Sequence, residues 1–255
     1  MSDLFDDSYE KTFAKLVLAH AAEAQRRGRE CLRDKWCAFW PAVGSQYCAG
    51  GLMIIGRALN GWEDTDFVIE QAKGDCGDLV KRCRQSFAPR DGCPLSWVET
   101  RWGRGEKGQY RTSRSPIWRM ARGLVEHCGH PGKGWSGYLC WNNMMRVSPA
   151  CGGNPPGWSC DAQRPHAAEL LSREIEILRP GVIVAFTGQD WMDWFVVGLD
   201  RSVKLNPVDG CDYVSAHGQF HGSTVIVAPH PMKKKEDVLM DELRRFLPTT
   251  RGNKG

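Results

Sequence analysis

Four short apolar runs constrain the fold of this chain most strongly. They are LMII at 52–55, GYLCW at 137–141, VIVAF at 182–186 and TVIVA at 224–228. None alternates between apolar and polar residues, which is typical of strands buried on both faces of a parallel sheet. Strands that alternate with helices form βαβ units. The sequence therefore predicts an α/β protein, a three-layer α/β/α sandwich around a central four-stranded, mainly parallel sheet.

Helical spacing of apolar residues predicts the covering layers. An N-terminal helix is expected at 9–26, with Phe13, Leu16 and Val17 near one face. Further helices are expected in SPIWRMARGLVEHCG, in AAELLSREIEILRPG, which Pro180-Gly181 ends, and in EDVLMDELRRF.

The rest of the chain is less regular. The interval of about 70–135 is interpreted as an insertion, and the composition of 150–165 predicts a loop. We expect a single domain over 1–248 and a disordered tail at 249–255.

The composition favours a reducing compartment. The chain has eleven cysteines, and its N-terminus, MSDLFDDSYE, lacks the basic and apolar pattern of a secretion signal. No apolar run approaches the ~20 residues that span a bilayer. We therefore expect a soluble cytoplasmic protein without a membrane partner.

Three of the predicted strands end in polar residues. GRALNGWED follows the first, Asn142-Asn143 ends the second, and His230 follows the fourth. The carboxyl ends of parallel strands lie on one edge of a sheet, so Asn60, Asn143 and His230 are predicted to share a cleft. Taken singly, an Asn after a strand is more often a turn or cap residue, and a His beside proline is more often a loop residue.

The ordered set of motifs resembles the uracil-DNA glycosylase superfamily over roughly residues 50–245. GRALNGWED at 56–64 is similar to the family's first motif, of the kind G-E-A-P-G-x-x-E-D or G-x-N-P-G. NMMRVSP at 143–149 is similar to the Asn strand, and LSREI at 171–175 begins the helix that leads to the third strand. His230-Pro231 matches the last motif.

The resemblance implies a base pocket and a role for each strand end. Asn143 would read the edge of a pyrimidine, since an amide presents a donor and an acceptor side by side. His230 would donate to the pyrimidine O2 and stabilise charge on the departing base. Gly56, Trp62 and Phe67 are the other candidates for contact with the base, although a bulky aromatic after a strand is more often core.

The first motif departs from the family pattern. Arg57 stands where a catalytic Glu would be, and Ala58 stands where an Asp or Asn would be. We expect Asn60 to position the attacking water, with Asp64 as the second candidate. Asp64 at a helix N-cap or in a first helical turn is an equally good interpretation.

Two basic segments predict contacts with DNA. The resemblance places Met232–Lys235 where family members insert a wedge into the duplex, so Met232 is expected to fill the vacated base position, and Lys233, Lys234 and Lys235 to contact phosphates. The alternative is a solvated extension of the last helix. Arg111, Arg114 and Arg119 lie in a stretch at 101–123 that interleaves basic and aromatic residues. A solvated surface loop explains either segment equally well when it is taken alone.

The sequence predicts neither a metal nor another cofactor. Some members of the superfamily hold an iron–sulfur cluster through cysteines, but Val147 occupies one of those positions. His127, Cys128 and His130 lack a second ligand pair at zinc-site spacing. Cys31, Cys37, Cys48, Cys151 and Cys160 are the cysteines from which an unconventional cluster would have to form.

The sequence therefore predicts a monomeric, monofunctional DNA glycosylase that flips a base from single- or double-stranded DNA and leaves an abasic site. The expected substrate is a modified pyrimidine, for example hypermodified cytosine of phage DNA in antiviral defence, or uracil. A non-catalytic sensor of modified bases on the same fold is the alternative. A nucleotide-binding enzyme is disfavoured, because neither GxGxxG nor GxxxxGK[ST] occurs.

Overall fold

The computed structural model describes residues 4–28, 34–88, 92–103, 110–196 and 203–247. The predicted tail at 249–255 and Cys31 lie outside these residues. Within them the protein is α/β, with helices packed on a mixed sheet. The strands are β1 (Trp36–Ala38), β2 (Ala42–Val43), β3 (Leu52–Gly56), β4 (Asp66–Phe67), β5 (Leu139–Asn143), β6 (Val147–Pro149), β7 (Val182–Ala185), β8 (Lys204–Pro207), β9 (Ala216–Phe220) and β10 (Ser223–Val227).

The main sheet has seven strands in the order β2-β5-β3-β7-β10-β9-β8, so the predicted four-stranded sheet is wrong in its strand number. The four apolar runs became β3, β5, β7 and β10, which are neighbours in the sheet and parallel to one another. β2, β8 and β9 extend it with antiparallel pairings. Their patterns were too short or too exposed to be found: β2 has two residues, and most of β8 is exposed.

A second, three-stranded antiparallel sheet of order β4-β1-β6 was also not predicted. It joins the segment after β3 to the segment after β5, because β4 and β6 both pair with β1. Lys35 and Asp66 form an ion pair at 3.0 Å beside it. This small sheet fixes the two loops that leave the carboxyl ends of β3 and β5.

Four of the eight helices in the described chain were predicted from the sequence, one of them only in its second half. The helices are α1 (Asp7–Arg27), α2 (Ile69–Gly74), α3 (Cys76–Ser86), α4 (Ser96–Thr100), α5 (Pro116–His127), α6 (Gly157–Leu178), α7 (Gln189–Val196) and α8 (Glu236–Phe246). α2 to α5 lie in the predicted insertion. The N-terminal helix predicted at 9–26 and the closing helix are confirmed as α1 and α8.

The loop predicted over 150–165 is wrong from Gly157 onward, where α6 begins. Proline inside a helix removes a backbone donor and usually ends or kinks it, and Pro165 made this part of the chain resemble a loop. Tertiary burial prevails here, since Ser159, Cys160 and Gln163 on the first turns are buried.

The helices form two packed groups. α1 packs along α6, and α5 packs against α8.

The strand order reverses direction within the parallel part of the sheet. From β3 the chain continues to β5, which is the neighbour of β3 on one side. From β5 it returns past β3 to β7, which is the neighbour of β3 on the other side. Because crossovers between parallel strands are right-handed, connections in opposite directions run over opposite faces of the sheet. The strand order therefore reverses between β3 and β7.

Candidate active site at the carboxyl ends of the parallel strands

Arg57, Asn143, Gly188 and His230 follow or end the four parallel strands, and we call the place where they meet the strand-end crevice. In open α/β sheets, ligands bind outside the carboxyl ends of the strands where the strand order reverses. Arg57 and Gly188 lie directly at that reversal, after β3 and β7. Asn143 and His230 flank it from the neighbouring strands.

Asn143 is packed against Gly56, its partner in the β3–β5 pairing. A Cβ on Gly56 would lie 2.4 Å from Asn143 Oδ1, so only glycine leaves room for the amide in this position. Asn143 is 1% exposed, and its Nδ2 has no hydrogen-bond partner among the described residues. A buried amide donor that is left unpaired is costly, and such a group suits a ligand that completes its bonding.

A buried polar network supports Asn143 from below. The backbone N of Asn143 donates to Asn142 Oδ1 at 2.8 Å, and Asn142 Nδ2 donates to Glu174. Arg146 Nη2 donates to both Glu174 oxygens, at 2.6 and 2.8 Å, and Tyr9 Oη also donates to Glu174. Burial raises the pKa of Tyr9 well above its ordinary value, and the Glu174 charge adds to the rise. The hydroxyl therefore keeps its proton and remains a donor.

His230 is partly buried after β10. Its Nδ1 accepts a hydrogen bond from the backbone N of Met232 at 3.1 Å, which places the proton of the neutral ring on Nε2. Burial lowers the pKa of His230, and the charge of Arg57 lowers it further. At neutral pH the ring is therefore an uncharged donor through Nε2.

Arg57 lies at the centre of the crevice. Its Nε donates to Thr187 O at 2.7 Å, and its guanidinium lies 5.4 Å from the centroid of the Trp191 ring. Its carbonyl accepts from Met145 N at 2.9 Å, which ties it to the loop after Asn143. Burial lowers the pKa of Arg57, and the charge of Asp190 opposes that shift. The sequence showed Arg57 only as a departure from a motif, and its central position depends on the strand order.

Asn60 is exposed, and its Oδ1 accepts from Gly153 N at 2.9 Å. The side chain therefore links the loop after β3 to the loop after β6. Asp64 is also exposed and lies in the short 3₁₀ helix Glu63–Thr65. In this structure Asn60 therefore connects two loops. Its role in positioning water stays a prediction.

Of the two predicted aromatic contacts, Phe67 is buried in the core and Trp62 is partly buried against it. Phe67 is 2% exposed in β4, so it offers no free face to a base in this conformation. Trp62 donates from Nε1 to Ser86 Oγ at 2.9 Å and stacks on Phe87 with ring centroids 5.1 Å apart. Both residues therefore act here as packing groups around the loop that follows β3.

Met232 to Lys235 form a turn between His230 and α8, and not an extension of that helix. Met232 is 57% exposed, and Lys233, Lys234 and Lys235 are exposed as well. Lys234 N donates to Pro231 O at 3.1 Å, and its Nζ lies 5.7 Å from the centroid of Tyr213. We call Met232–Lys235 the basic turn; it presents one apolar side chain and three cations beside His230.

The three predicted arginine contacts differ in their surroundings. Arg119 donates to both carboxylate oxygens of Glu236 and to Ser113 O, so its charge is already neutralised within the protein. This pair links α5 to the first turn of α8. Arg114 is exposed, whereas Arg111 is partly buried and has partners within the protein. Arg114 is thus the best placed of the three to contact a phosphate.

The part of the crevice next to Asn143 is closed in this conformation, since Asn143 is buried. Cavities of about 400 and 460 Å³ lie elsewhere, one by Glu99 and Ser136 before the start of β5, the other by Asp6 and Arg84. Since Asn143 is buried, a base reaches it only if the surrounding loops move.

Among the described residues, no group of three His, Cys, Asp or Glu could hold a metal. In the described chain, no helix has the length and apolarity needed to cross a membrane.

Comparison with protein-family models and with curated proteins finds no match for this chain.

Proposed function

We propose that the protein is a monofunctional DNA glycosylase that excises a pyrimidine, on a three-layer fold like that of the uracil-DNA glycosylase superfamily. The observation that carries this proposal is the state of His230: a neutral ring with its proton on Nε2, on the same sheet edge as an unpaired Asn143 amide. Two neutral donors at one edge suit the carbonyl-rich rim of a pyrimidine.

In the proposed reaction, the C1′–N bond of the nucleotide breaks and its electron pair stays with the base. A water oxygen bonds to C1′; one of its protons is lost to solvent, and the base anion takes a proton from solvent. His230 donates from Nε2 to the base carbonyl, where negative charge accumulates only as the bond breaks. An interaction that exists mainly in the transition state lowers the barrier directly.

Asn143 would hold the base before the reaction. Its free Nδ2 would donate to a base carbonyl, and the Asn142–Glu174–Arg146 network would keep the amide in place. Prior orientation of reacting groups is worth several kcal/mol of barrier. The water remains assigned to Asn60, since an amide can orient water although it cannot take its proton.

DNA is the proposed partner of the basic turn. Lys233 to Lys235 would contact phosphates, and the exposed Met232 would enter the stack where the flipped base leaves a gap. Insertion of an apolar side chain offsets part of the cost of unstacking. We propose that the protein acts as a monomer, in repair or in defence against phage DNA with modified cytosine.

A non-catalytic sensor of modified bases is the second candidate, and Arg57 favours it. A cation occupies the position where the family carries its carboxylate, and it would oppose the positive charge that develops on the sugar. A sensor would bind the flipped base through the same Asn143 and His230 without breaking a bond.

Mass spectrometry of released bases separates these candidates. The panel contains DNA with uracil, unmodified DNA and phage DNAs with modified cytosines, and DNA binding is measured in parallel. We expect one base to be released by the wild type and not by Asn143→Ala, with Asn154→Ala as a control on a nearby exposed loop. Binding of modified DNA without release of any base would favour the sensor.

A further inference from the structure

Arg57 lies at the centre of the crevice, but the proposed reaction assigns it no role. Its backbone and side chain join three strand ends: Met145 N donates to its carbonyl, and its Nε donates to Thr187 O. A Cβ on Gly188 would lie 3.3 Å from Arg57 Nη2, so the guanidinium lies close above that glycine. Gly188 N in turn donates at 2.9 Å to Ala228 O, two residues before His230. Arg57 and His230 therefore lie close together, near enough for the charge of Arg57 to lower the pKa of His230.

The charge of Arg57 is paired differently from the charges of two other arginines that link elements of the fold. Arg146 is paired with Glu174, and Arg119 is paired with Glu236. Within the described chain, no carboxylate lies at ion-pair distance from Arg57; its side-chain contacts are a carbonyl oxygen and an aromatic face. The exposed Asp190 lies near enough to oppose the pKa shift of Arg57 but forms no ion pair with it, so a partly buried cation remains to which an anion can bind. His230, which carries its proton on Nε2 and lies near Arg57, supplies a second donor for the same chemistry.

We propose that Arg57 and His230 form a two-donor anion site in the strand-end crevice, which binds negative charge on the substrate. This inference rests on the proposed function. It gives a role to Arg57, which stands where the family carries a catalytic Glu. The anion is either the departing base or the phosphate next to the flipped nucleotide. Both present oxygen or nitrogen acceptors that a guanidinium and an imidazole N–H can share.

Inorganic phosphate is the first probe, because its binding does not depend on base release. We would follow the imidazole nitrogen signals of His230 by NMR in the full-length protein during a phosphate titration. The expected result is a saturable shift in the wild type that is at least about tenfold weaker in Arg57→Gln. The Arg26→Gln variant is the matched control, since it removes an exposed arginine at the end of α1, to which no contact with DNA is assigned. Arg57→Lys is the second variant, in case Arg57→Gln does not fold.

The same spectra contain an independent test of proximity. Because the charge of Arg57 lowers the pKa of His230, removing that charge should raise the titration midpoint of His230 in Arg57→Gln and not in Arg26→Gln. A purely structural role for Arg57 would not move this midpoint. Absence of a saturable shift in the wild type, or an equal shift in Arg57→Gln, would overturn the inference whether or not the protein releases bases.

Kinetics then distinguishes the two sources of the anion if a base is released. Stabilisation of the departing base predicts that Arg57→Gln lowers kcat by about 10²-fold with little change in KM, as loss of an oxyanion donor does. Binding of the neighbouring phosphate predicts a raised KM and a nearly unchanged kcat. Unchanged values of both would contradict the inference, whereas absence of release by the wild type would contradict only the proposed function.

Discussion

Replacing Gly56 with alanine tests how closely the position of Asn143 is set. The new Cβ would lie 2.4 Å from Asn143 Oδ1, about 1 Å inside an ordinary van der Waals contact. The amide must move, because it is buried beside the β3 backbone. Overpacking of this size costs about 1–3 kcal/mol of stability, and a displacement of about 1 Å in a site group costs about 10²-fold in rate.

The assay compares base release per folded protein with the free energy of unfolding in urea. Gly74→Ala is the matched control: it is also a glycine at the end of an element, and a Cβ there would meet nothing within 4 Å. We expect the control to keep full activity and to be stabilised slightly. If Gly56→Ala released bases at the wild-type rate while stable, the close approach would not be what positions Asn143.

Three further predictions follow from buried groups and from the basic turn. Glu174→Gln leaves the Arg146 charge unpaired and should lower the free energy of unfolding by about 3–5 kcal/mol in urea, unlike Glu176→Gln on the exposed side of the same helix. Burial lowers the pKa of His20 to about 3, so the unfolded chain takes up a proton between pH 6.5 and 3 and the fold does not. Stability should therefore fall by about 2 kcal/mol between pH 7 and pH 5, and a similar loss in His20→Gln would show that another group is responsible. Met232→Ala should weaken capture of a flipped base in duplex DNA more than in single strands, because only the duplex must be unstacked; fluorescence of a base analogue measures this, and equal effects on both would argue against insertion.

The parts of the fold that could be predicted are those with a local signal. Unbroken apolar runs such as VIVAF identify the parallel strands, and the helical spacing of Phe13, Leu16 and Val17 identifies α1. β8 and β9 were not predicted, because their residues are partly exposed and because β9 pairs with β10 and β8 pairs with β9. The start of α6 was not predicted, because Pro165 indicates a loop in the sequence. The burial of side chains that stabilises this part of the helix exists only in the folded protein.

The candidate site divides in the same way. Asn143 and His230 could be predicted, since both stand beside recognisable strands. The centre of the crevice could not, because Arg57 meets Gly188 through a strand order that no local pattern contains. Phe67 is a candidate for contact with the base because it is aromatic and follows β3 in the sequence. Its burial in β4 depends on the pairing of β4 with β1, which the sequence does not show.

The measurement that tests the central claim most directly counts two products in one reaction. Hydrolysis of the N-glycosidic bond yields one free base and one abasic site for each event. Under single-turnover conditions on the best substrate of the panel, we predict equal amounts of both, and a loss of both by about 10²-fold or more in His230→Ala, which removes the Nε2 donor. DNA that is bound by the wild type without forming either product would contradict the account, and so would release that His230→Ala leaves unchanged.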